Sequence, residues 1–312
     1  MIPLYNEQDN ISILCERLKN VLNDISENWE IILIDDGSTD NTRSVASKII
    51  KENKKIKGVF LRRNYGQTSA MMAGFQYSSG DIIISMDGDL QNDPKDIPHL
   101  IKKLDEGYDV VSGWRKDRKD DKWLRVVPSR IANNLVSWLS GVRLHDHGCS
   151  LKAYRREIIQ NIRLYGEMHR FIPVFAFWEG ARVTEIVVNH SSRYSGTSKY
   201  GLSRIPKVLL DLIFLKLMGN YGTRPVHVFG GFGLLNILAS LTSGSYAIFF
   251  KIFDDRSHML TLLPLLASIT MLVGILSILM GFVSELIVRT YYESQQKEIY
   301  SIKELINIER PH

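Results

Sequence analysis

Hydrophobic residues follow two different patterns along the chain, and the change comes near residue 200. Before it, short runs rich in Ile and Val alternate with stretches in which apolar residues recur at helical spacing. Such runs are typical of strands buried on both faces, and their alternation with helices predicts an α/β domain with a mostly parallel sheet. The predicted strands are residues 30–35, 57–61, 81–86 and 109–113, and the predicted helices lie near residues 40–53, 66–79 and 95–106.

The last third of the chain holds two long apolar stretches, residues 226–250 and 259–284, which contain no Asp, Glu, Lys or Arg. A helix needs about 20 apolar residues to cross the hydrocarbon core, so each stretch predicts a membrane span. The short connection, residues 251–258, predicts a hairpin whose two ends lie on the same side. Basic residues are denser outside the hairpin than in its loop, which predicts a cytosolic N-terminal domain.

Residues 202–219 mix apolar clusters with charged residues and are too charged to span a membrane. They predict an amphipathic helix lying in the membrane interface, with a core helix of the soluble domain as the alternative. The predicted organisation is a catalytic domain at 1–200, an interfacial region at 201–225, the hairpin at 226–284 and a cytosolic tail at 285–312. In this organisation residues 293–309 of the tail are a candidate partner-binding arm.

The charge and cysteine content of the chain limit the kinds of binding partner and compartment that it indicates. The formal net charge is +5 and no long basic run is present, so nothing indicates a nucleic-acid partner. The two cysteines, Cys15 and Cys149, fit neither a metal-binding pattern nor a disulfide framework, which indicates a reducing compartment.

Acidic residues follow several predicted strands directly. Asp87 and Asp89 are two residues apart after one strand, and Gln91 lies just beyond them. In parallel sheets, ligands bind outside the carboxyl ends of the strands, and hard oxygen ligands of this kind suit Mg²⁺ or Mn²⁺ bridging to a diphosphate. Neither the glycine-rich dinucleotide fingerprint nor the P-loop motif occurs, and solvated turn aspartates remain the alternative.

Three segments taken together, Pro3–Glu7, Asp35–Asp40 and Asp87–Gln91, resemble the inverting GT-A glycosyltransferases. Three later segments narrow the resemblance to the polyprenyl-phosphate glycosyltransferases: Gly113–Arg115, Arg125 with Ser129, and Arg193–Tyr200. That family includes dolichol-phosphate mannose synthases and bactoprenol glucosyltransferases. With two C-terminal spans, the chain looks closest to the bactoprenol glucosyltransferases.

The resemblance implies a role for individual residues on the donor side. It implies a nucleotide-sugar site formed by Pro3, Tyr5, Glu7, Asp36, Asp87, Arg193 and Lys199. It also implies a Mg²⁺ or Mn²⁺ site at Asp87, Asp89 and Gln91. Turn formation and helix capping are the alternative for Asp36, and a basic membrane-surface patch is the alternative for Arg193 and Lys199.

On the acceptor side, the resemblance places the lipid phosphate on Arg115, Arg125 and Ser129, where charge alone indicates a solvated basic loop. Asp146 occupies the position of the acidic residue beside the acceptor, and it either takes a proton or positions the acceptor. With Asp89 it forms the predicted catalytic pair. The neighbouring His145 and His147 are predicted to be structural.

Together these features predict an inverting, metal-dependent transfer of glucose from UDP-glucose to undecaprenyl phosphate. The expected setting is the cytosolic face of a bacterial plasma membrane, with two spans in the lipid. Small residues in the spans leave a homo-oligomer such as a tetramer open. The alternatives are a processive membrane polysaccharide synthase and a catalytically silent membrane scaffold.

Overall fold

The computed structural model describes residues 1–116, 136–137, 140–160, 162, 164, 168–191, 226–253, 262–294 and 300–308. The chain divides into two compact units. One comprises Met1–Leu212 together with Glu298–His312, and the other comprises Ile213–Lys297. The predicted interfacial helix at 202–219 lies outside the described residues.

The first unit alternates strands and helices along the chain. Its strands are β1 (Ile2–Leu4), β2 (Ile31–Asp35), β3 (Ile56–Leu61), β4 (Ile82–Ser85), β5 (Val110–Trp114), β6 (Lys152–Arg155), β7 (Val183–Val187) and β8 (Ile302–Ile306). Its helices are α1 (Ile11–Ile25), α2 (Thr42–Glu52), α3 (Gln67–Gln76), α4 (Ile97–Asp105), α5 (Arg156–Ile159) and α6 (Ile172–Trp178). The four strands and three helices predicted from the sequence are all present, with ends within a few residues.

The strands form two four-stranded sheets, ordered β1-β2-β3-β8 and β4-β6-β5-β7. In the first, β1, β2 and β3 are parallel. In the second, β5 and β7 are parallel and β6 is antiparallel to its neighbours. Two hydrogen bonds connect the sheets: the Met1 amino group donates to Ile84 O at 2.7 Å, and Met86 N donates to Met1 O at 3.2 Å. The sheet is therefore mixed but mostly parallel, as in a GT-A domain.

Both faces of the first sheet are covered, which explains the unbroken apolar run in β2. Ile31 and Leu33 belong to one buried cluster with residues of α1, α2 and α4. Ile32 and Ile34 belong to another with residues of α3. Successive side chains of a strand point to opposite faces. When both faces are covered, both sets of side chains are buried, so apolar residues follow one another without polar residues between them.

The end of the chain differs from the prediction of a partner-binding arm at 293–309. Strand β8 pairs antiparallel with β3, and Tyr300, which precedes it, is buried against α3 with its hydroxyl bonded to Gln76. Asn307 donates to the carbonyls of Ile50 and Ile56 at 3.0 and 2.9 Å. The prediction missed this strand because two adjacent charged residues interrupt the apolar residues of IKELI, as suits a strand at the edge of a sheet.

The second unit contains two helices, α7 (Val226–Phe253) and α8 (Leu262–Ser294). Phe229–Phe253 and Leu262–Ser284 are long and apolar enough to cross a membrane. In the most apolar 18-residue stretch of each helix, only 17% and 6% of the residues are buried. A covered core helix would be mostly buried, so these helices expose their apolar surface. They approach each other closely where Gly233 meets Gly274, and Ser240 Oγ donates to Ala267 O at 2.6 Å.

The close contact between Gly233 and Gly274 leaves no room for a side chain between the two helices. A Cβ at residue 233 would lie 2.7 Å from Gly274 O and 2.6 Å from Ile278 Cγ1. We expect Gly233→Ala to lower the stability of the helix pair by about 1–3 kcal/mol, because an added methyl group must push the helices apart. The measurement is the thermal unfolding midpoint in detergent. Gly231→Ala is the matched control, because a Cβ there meets nothing within 4 Å. Equal midpoints for the two variants would contradict the close approach.

Candidate active site

The carboxyl ends of β1, β2 and β4 lie side by side and carry the predicted donor residues. Leu4 pairs with Asp35, so the segments that follow these two strands start at the same level of the sheet. Hydrogen bonds join them: Asn6 N donates to Ser38 Oγ at 3.0 Å, and Glu7 N donates to Thr42 Oγ1 at 2.8 Å. Pro3 and Tyr5 are partly exposed at this edge.

The turn after β4 packs directly against this edge. A Cβ on Gly88 would lie 2.6 Å from Leu4 Cδ2 and 3.6 Å from Glu7 Cγ, so a side chain there would displace the end of the Leu4 side chain. This explains the glycine between the two aspartates, Asp87 and Asp89. The predicted residues of all three strand ends are therefore neighbours in the fold.

Asp35 and Asp36 have clear structural partners. Asp35 is buried and accepts from the Arg43 guanidinium at 3.0 and 2.8 Å. Asp36 accepts from the backbone amides of Tyr65 and Gly66, at 2.7 and 2.9 Å, just before α3 begins. Burial raises the pKa of Asp36 to about 6, although these two amide bonds oppose the rise. Asp36 thus fixes the start of α3, and its predicted contact with the nucleotide stays a prediction.

Asp87 and Asp89 form the acidic centre of the site. Asp89 is buried, and its Oδ1 accepts from Gln91 N at 3.2 Å. Asp87 is partly buried, and its Oδ1 accepts from Gln67 Nε2 at 2.9 Å. Burial raises the pKa of Asp87, and the negative charge of Asp89 raises it further. The two carboxylates therefore repel each other across a short turn.

Arg115 and Asp146 form an ion pair beside this centre. Arg115 Nε donates to Asp146 Oδ2 at 2.7 Å and Nη2 donates to Oδ1 at 3.0 Å, so the guanidinium makes a bidentate contact with the carboxylate. Gly148 N adds a bond to Oδ1 at 3.1 Å. Burial acts to lower the pKa of Arg115, but the hydrogen bond to Asp146 and the negative charges nearby together outweigh it, and the pKa is raised. The pair thus unites a predicted acceptor residue with a predicted catalytic residue.

Sequence reasoning missed Lys152, the first residue of β6. This lysine is buried, and its Nζ donates to the backbone carbonyls of His147, at 3.2 Å, and Cys149. Burial lowers its pKa, while the charges of Asp146 and Asp87 act to raise it. The signal in the sequence is a lone lysine where SLKAY otherwise reads as a buried strand, since Lys is rarely buried without acidic neighbours.

The histidines beside Asp146 have separate surroundings. His147 is buried, and burial lowers its pKa to about 4. His145 is largely exposed, stacks on Trp114 at a centroid distance of 4.1 Å and bonds to Glu185. Of the other predicted residues, Gln91 lies next to Asp89, with its Nε2 3.5 Å from Ser191 O. Arg125, Ser129, Arg193 and Lys199 lie outside the described residues.

A cavity of about 790 Å³ lies at the opposite edge of the sheet, near the amino ends of the strands. Apolar side chains of α1, α4 and β4 line much of it, together with Trp29, Glu30 and Lys57. Glu30 and Lys57 already form an ion pair there. The edge with the carboxyl ends remains the better candidate, because ligands of open α/β sheets bind there and the two neighbouring carboxylates, Asp87 and Asp89, lie there.

Comparison with known proteins is consistent with this geometry. Residues 1–176 match the model of "Glycosyl transferase family 2". The chain is 41% identical to the dodecaprenyl-phosphate galacturonate synthase of Rhizobium johnstonii, over 98% of this chain and 92% of that protein. It is 36% identical to the undecaprenyl-phosphate 4-deoxy-4-formamido-L-arabinose transferase of Aeromonas hydrophila, over 98% of this chain and 93% of that protein.

A solved structure shares the fold. Glucosyl-3-phosphoglycerate synthase of Mycobacterium tuberculosis, crystallised with Mn²⁺ and UDP-glucose, superposes with a TM-score of 0.53 at 18% identity. The match covers 70% of this chain and 77% of that one. The resemblance to polyprenyl-phosphate glycosyltransferases with a GT-A fold is thereby confirmed. Because the family model covers more than half of the chain and the relatives cover nearly all of it, this protein belongs to glycosyl transferase family 2.

Proposed function

We propose that this protein transfers a sugar, with inversion, from a nucleotide-sugar donor to a polyprenyl phosphate at a membrane. The observation that carries the proposal is that two groups of charged residues lie side by side, one a pair of carboxylates and the other an ion pair. The acidic turn of Asp87 and Asp89 adjoins the Arg115–Asp146 pair closely enough that the charge of Arg115 lowers the pKa of Asp87. A donor diphosphate with its cation and an acceptor phosphate need these two kinds of surroundings side by side.

The acidic turn suits a divalent cation. Among the residues that the structure describes, no three His, Cys, Asp or Glu side chains converge as a ligand set, so the protein supplies two carboxylates and the Gln91 amide. Mg²⁺ and Mn²⁺ accept such sets, because water and substrate phosphates complete the coordination. The cation would also relieve the repulsion that raises the pKa of Asp87. When bound, it stabilises the negative charge that develops on the departing diphosphate.

Asp89 and Asp87 have different tasks in this proposal. Asp89, buried and held by Gln91 N, would bind the cation directly. Asp87, partly exposed, would face both the cation and the nucleotide. Pro3, Tyr5, Glu7 and Asp36 would border the nucleotide from the neighbouring strand ends.

Arg115 would bind the acceptor phosphate, and Asp146 would hold Arg115 in place. Both Asp146 oxygens already accept hydrogen bonds from Arg115, and an ion-paired carboxylate is a weak base. A phosphate monoester has a second pKa of about 6, so the acceptor is largely dianionic at neutral pH and needs no strong base. Of the two roles open for Asp146, positioning is therefore the one we propose.

The membrane setting follows from the acceptor and the chain. A polyprenyl phosphate stays in the bilayer, and Phe229–Phe253 and Leu262–Ser284 would anchor the enzyme beside it. Basic residues outside the hairpin favour a cytosolic catalytic unit in the bacterial plasma membrane. The sequence predicts UDP-glucose as donor, whereas the relatives act on galacturonate and on 4-deoxy-4-formamido-L-arabinose. Because the galacturonate synthase is 41% identical over nearly the whole chain, we propose a uronic acid as the transferred sugar.

The purified protein tests this function directly. With undecaprenyl phosphate and radiolabelled nucleotide sugars, we expect label in a chloroform-soluble sugar lipid. UDP-galacturonate should be used faster than UDP-glucose or UDP-4-deoxy-4-formamido-L-arabinose. A water-soluble polymer would indicate a processive polysaccharide synthase, and no transfer from any donor would indicate a silent scaffold. Faster transfer from UDP-glucose would restore the donor predicted from the sequence.

Asp89→Asn tests the acidic turn. We expect transfer to fall at least about 100-fold, because a cation that supplies several kcal/mol to the transition state loses an anionic ligand. EDTA should abolish transfer by the wild-type protein, and added Mn²⁺ or Mg²⁺ should restore it. Asp24→Asn, at an exposed position of α1, is the matched control and should leave the rate unchanged. Full activity of Asp89→Asn, or of the EDTA-treated enzyme, would refute a metal-dependent site.

Arg115→Lys tests the acceptor side. A lysine cannot make a bidentate contact. We therefore expect kcat/KM for undecaprenyl phosphate to fall about 10- to 100-fold, the range for losing a hydrogen bond to a charged group. The donor KM should stay within a factor of about two, because an acceptor contact leaves donor binding intact. Arg143→Lys, at an exposed position, is the control. A raised donor KM with an unchanged acceptor KM would assign Arg115 to the other substrate.

A further inference from the structure

Asp87 receives hydrogen bonds from two separate parts of the chain. Gln67, the first residue of α3, donates from Nε2 to Asp87 Oδ1 at 2.9 Å. Ser150, in the loop before β6, bonds to the same carboxylate through its side chain. Neither residue belongs to the strand ends that carry the donor site, and neither is explained by the proposed chemistry. Together they hold the Asp87 carboxylate from two directions.

The direction of the Ser150 hydroxyl is set by a third side chain. Asn92 is buried, and its Nδ2 donates to Ser150 Oγ at 2.9 Å. A hydroxyl has one proton, and because the oxygen accepts from Asn92, its own proton is available for the Asp87 carboxylate. Asn92 therefore donates to Ser150, and Ser150 donates to Asp87.

The position of Gln67 is fixed by its neighbours on both sides. Before it, the amides of Tyr65 and Gly66 are bound by the Asp36 carboxylate. After it, Thr68 is buried and its hydroxyl shares a hydrogen bond of 2.9 Å with His169 Nδ1. The backbone that carries Gln67 is thus anchored at 65–66 and at 68. An anchored donor restrains its acceptor, whereas a mobile one only follows it.

We infer that Gln67 and Ser150 are positioning residues that hold Asp87 in the orientation needed to bind the donor with its divalent cation. The inference rests on the proposed function, because it assigns Asp87 to the donor. Two donors on a carboxylate fix the plane of its oxygens. Without them, the charge of Asp89 would favour a rotamer that turns Asp87 away from the turn. Partners of this kind orient the ligands of metal sites generally.

Gln67→Met and Ser150→Ala test the inference, since each keeps much of the side-chain volume and removes the donor. Mn²⁺ binding in the presence of UDP is measured by electron paramagnetic resonance, and KM is measured for each substrate. We expect the Mn²⁺ Kd and the donor KM to rise about 10- to 100-fold, the usual effect of losing such a partner. The acceptor KM should change less than about twofold, because the acceptor does not contact Asp87 in this proposal.

Ser150→Thr is the conservative variant, since it retains the hydroxyl. It should restore the Mn²⁺ Kd and the donor KM to within about threefold of wild type, because the threonine hydroxyl offers the same donor. Gln160→Met, at an exposed position that follows α5, is the control for loss of a glutamine and should behave as wild type. Thermal unfolding midpoints accompany each variant.

The outcomes separate the inference from the function on which it rests. Wild-type protein that binds neither Mn²⁺ nor UDP would contradict the proposed function itself. Normal wild-type binding with an unchanged Mn²⁺ Kd in Gln67→Met and Ser150→Ala would contradict only the positioning role. A lower unfolding midpoint without a change in Mn²⁺ affinity would likewise overturn it, because the two bonds would then serve stability alone.

Discussion

The repulsion between Asp87 and Asp89 is the constraint around which the site is built. Both lie on a turn that packs closely against β1, where a Cβ on Gly88 would displace the end of the Leu4 side chain. Burial and the charge of Asp89 both raise the pKa of Asp87, so ionising both groups costs free energy that something nearby must offset. Gln67 and Ser150 offset part of it by hydrogen bonds. In the proposed function, a divalent cation that arrives with the donor would offset the rest.

The same electrostatic field links the proposed donor and acceptor sides. Arg115 and Asp146 neutralise each other, and the positive charges of Arg115 and Lys152 both lower the pKa of Asp87. Lys152 holds the loop 146–150 through the carbonyls of His147 and Cys149. That loop carries both Asp146 and Ser150, one partner for each side. Removing one charge from such a group leaves another buried without its counter-charge, so the effects of substitutions there will not be additive.

The sequence predicted the parts of this arrangement that depend on local order. Runs of Ile and Val located β2, β3 and β4, and the rule that ligands bind at carboxyl ends brought Asp36 and Asp87 to one edge. It did not predict the Arg115–Asp146 pair, because the two residues are 31 positions apart and no periodicity relates them. It also missed the partners of Asp87, since Gln67 and Ser150 belong to no strand end. Side-chain contacts between distant segments appear only once the fold has brought those segments together.

The order of the segments along the chain constrains the proposed membrane arrangement independently of charge. Residues Ile213–Lys297 interrupt the first unit, which resumes at Glu298 and ends with β8 paired to β3. A folded domain cannot straddle a bilayer, so the chain must leave it and return to it on the same side. Only an even number of crossings allows this, and the two apolar helices supply two. With one crossing, β8 would lie across the bilayer from β3 and leave the hydrogen-bonding groups of that edge unpaired. The pairing of the C-terminal strand, which carries no recognisable motif, therefore supports the proposed arrangement in which both helices cross the membrane as a hairpin.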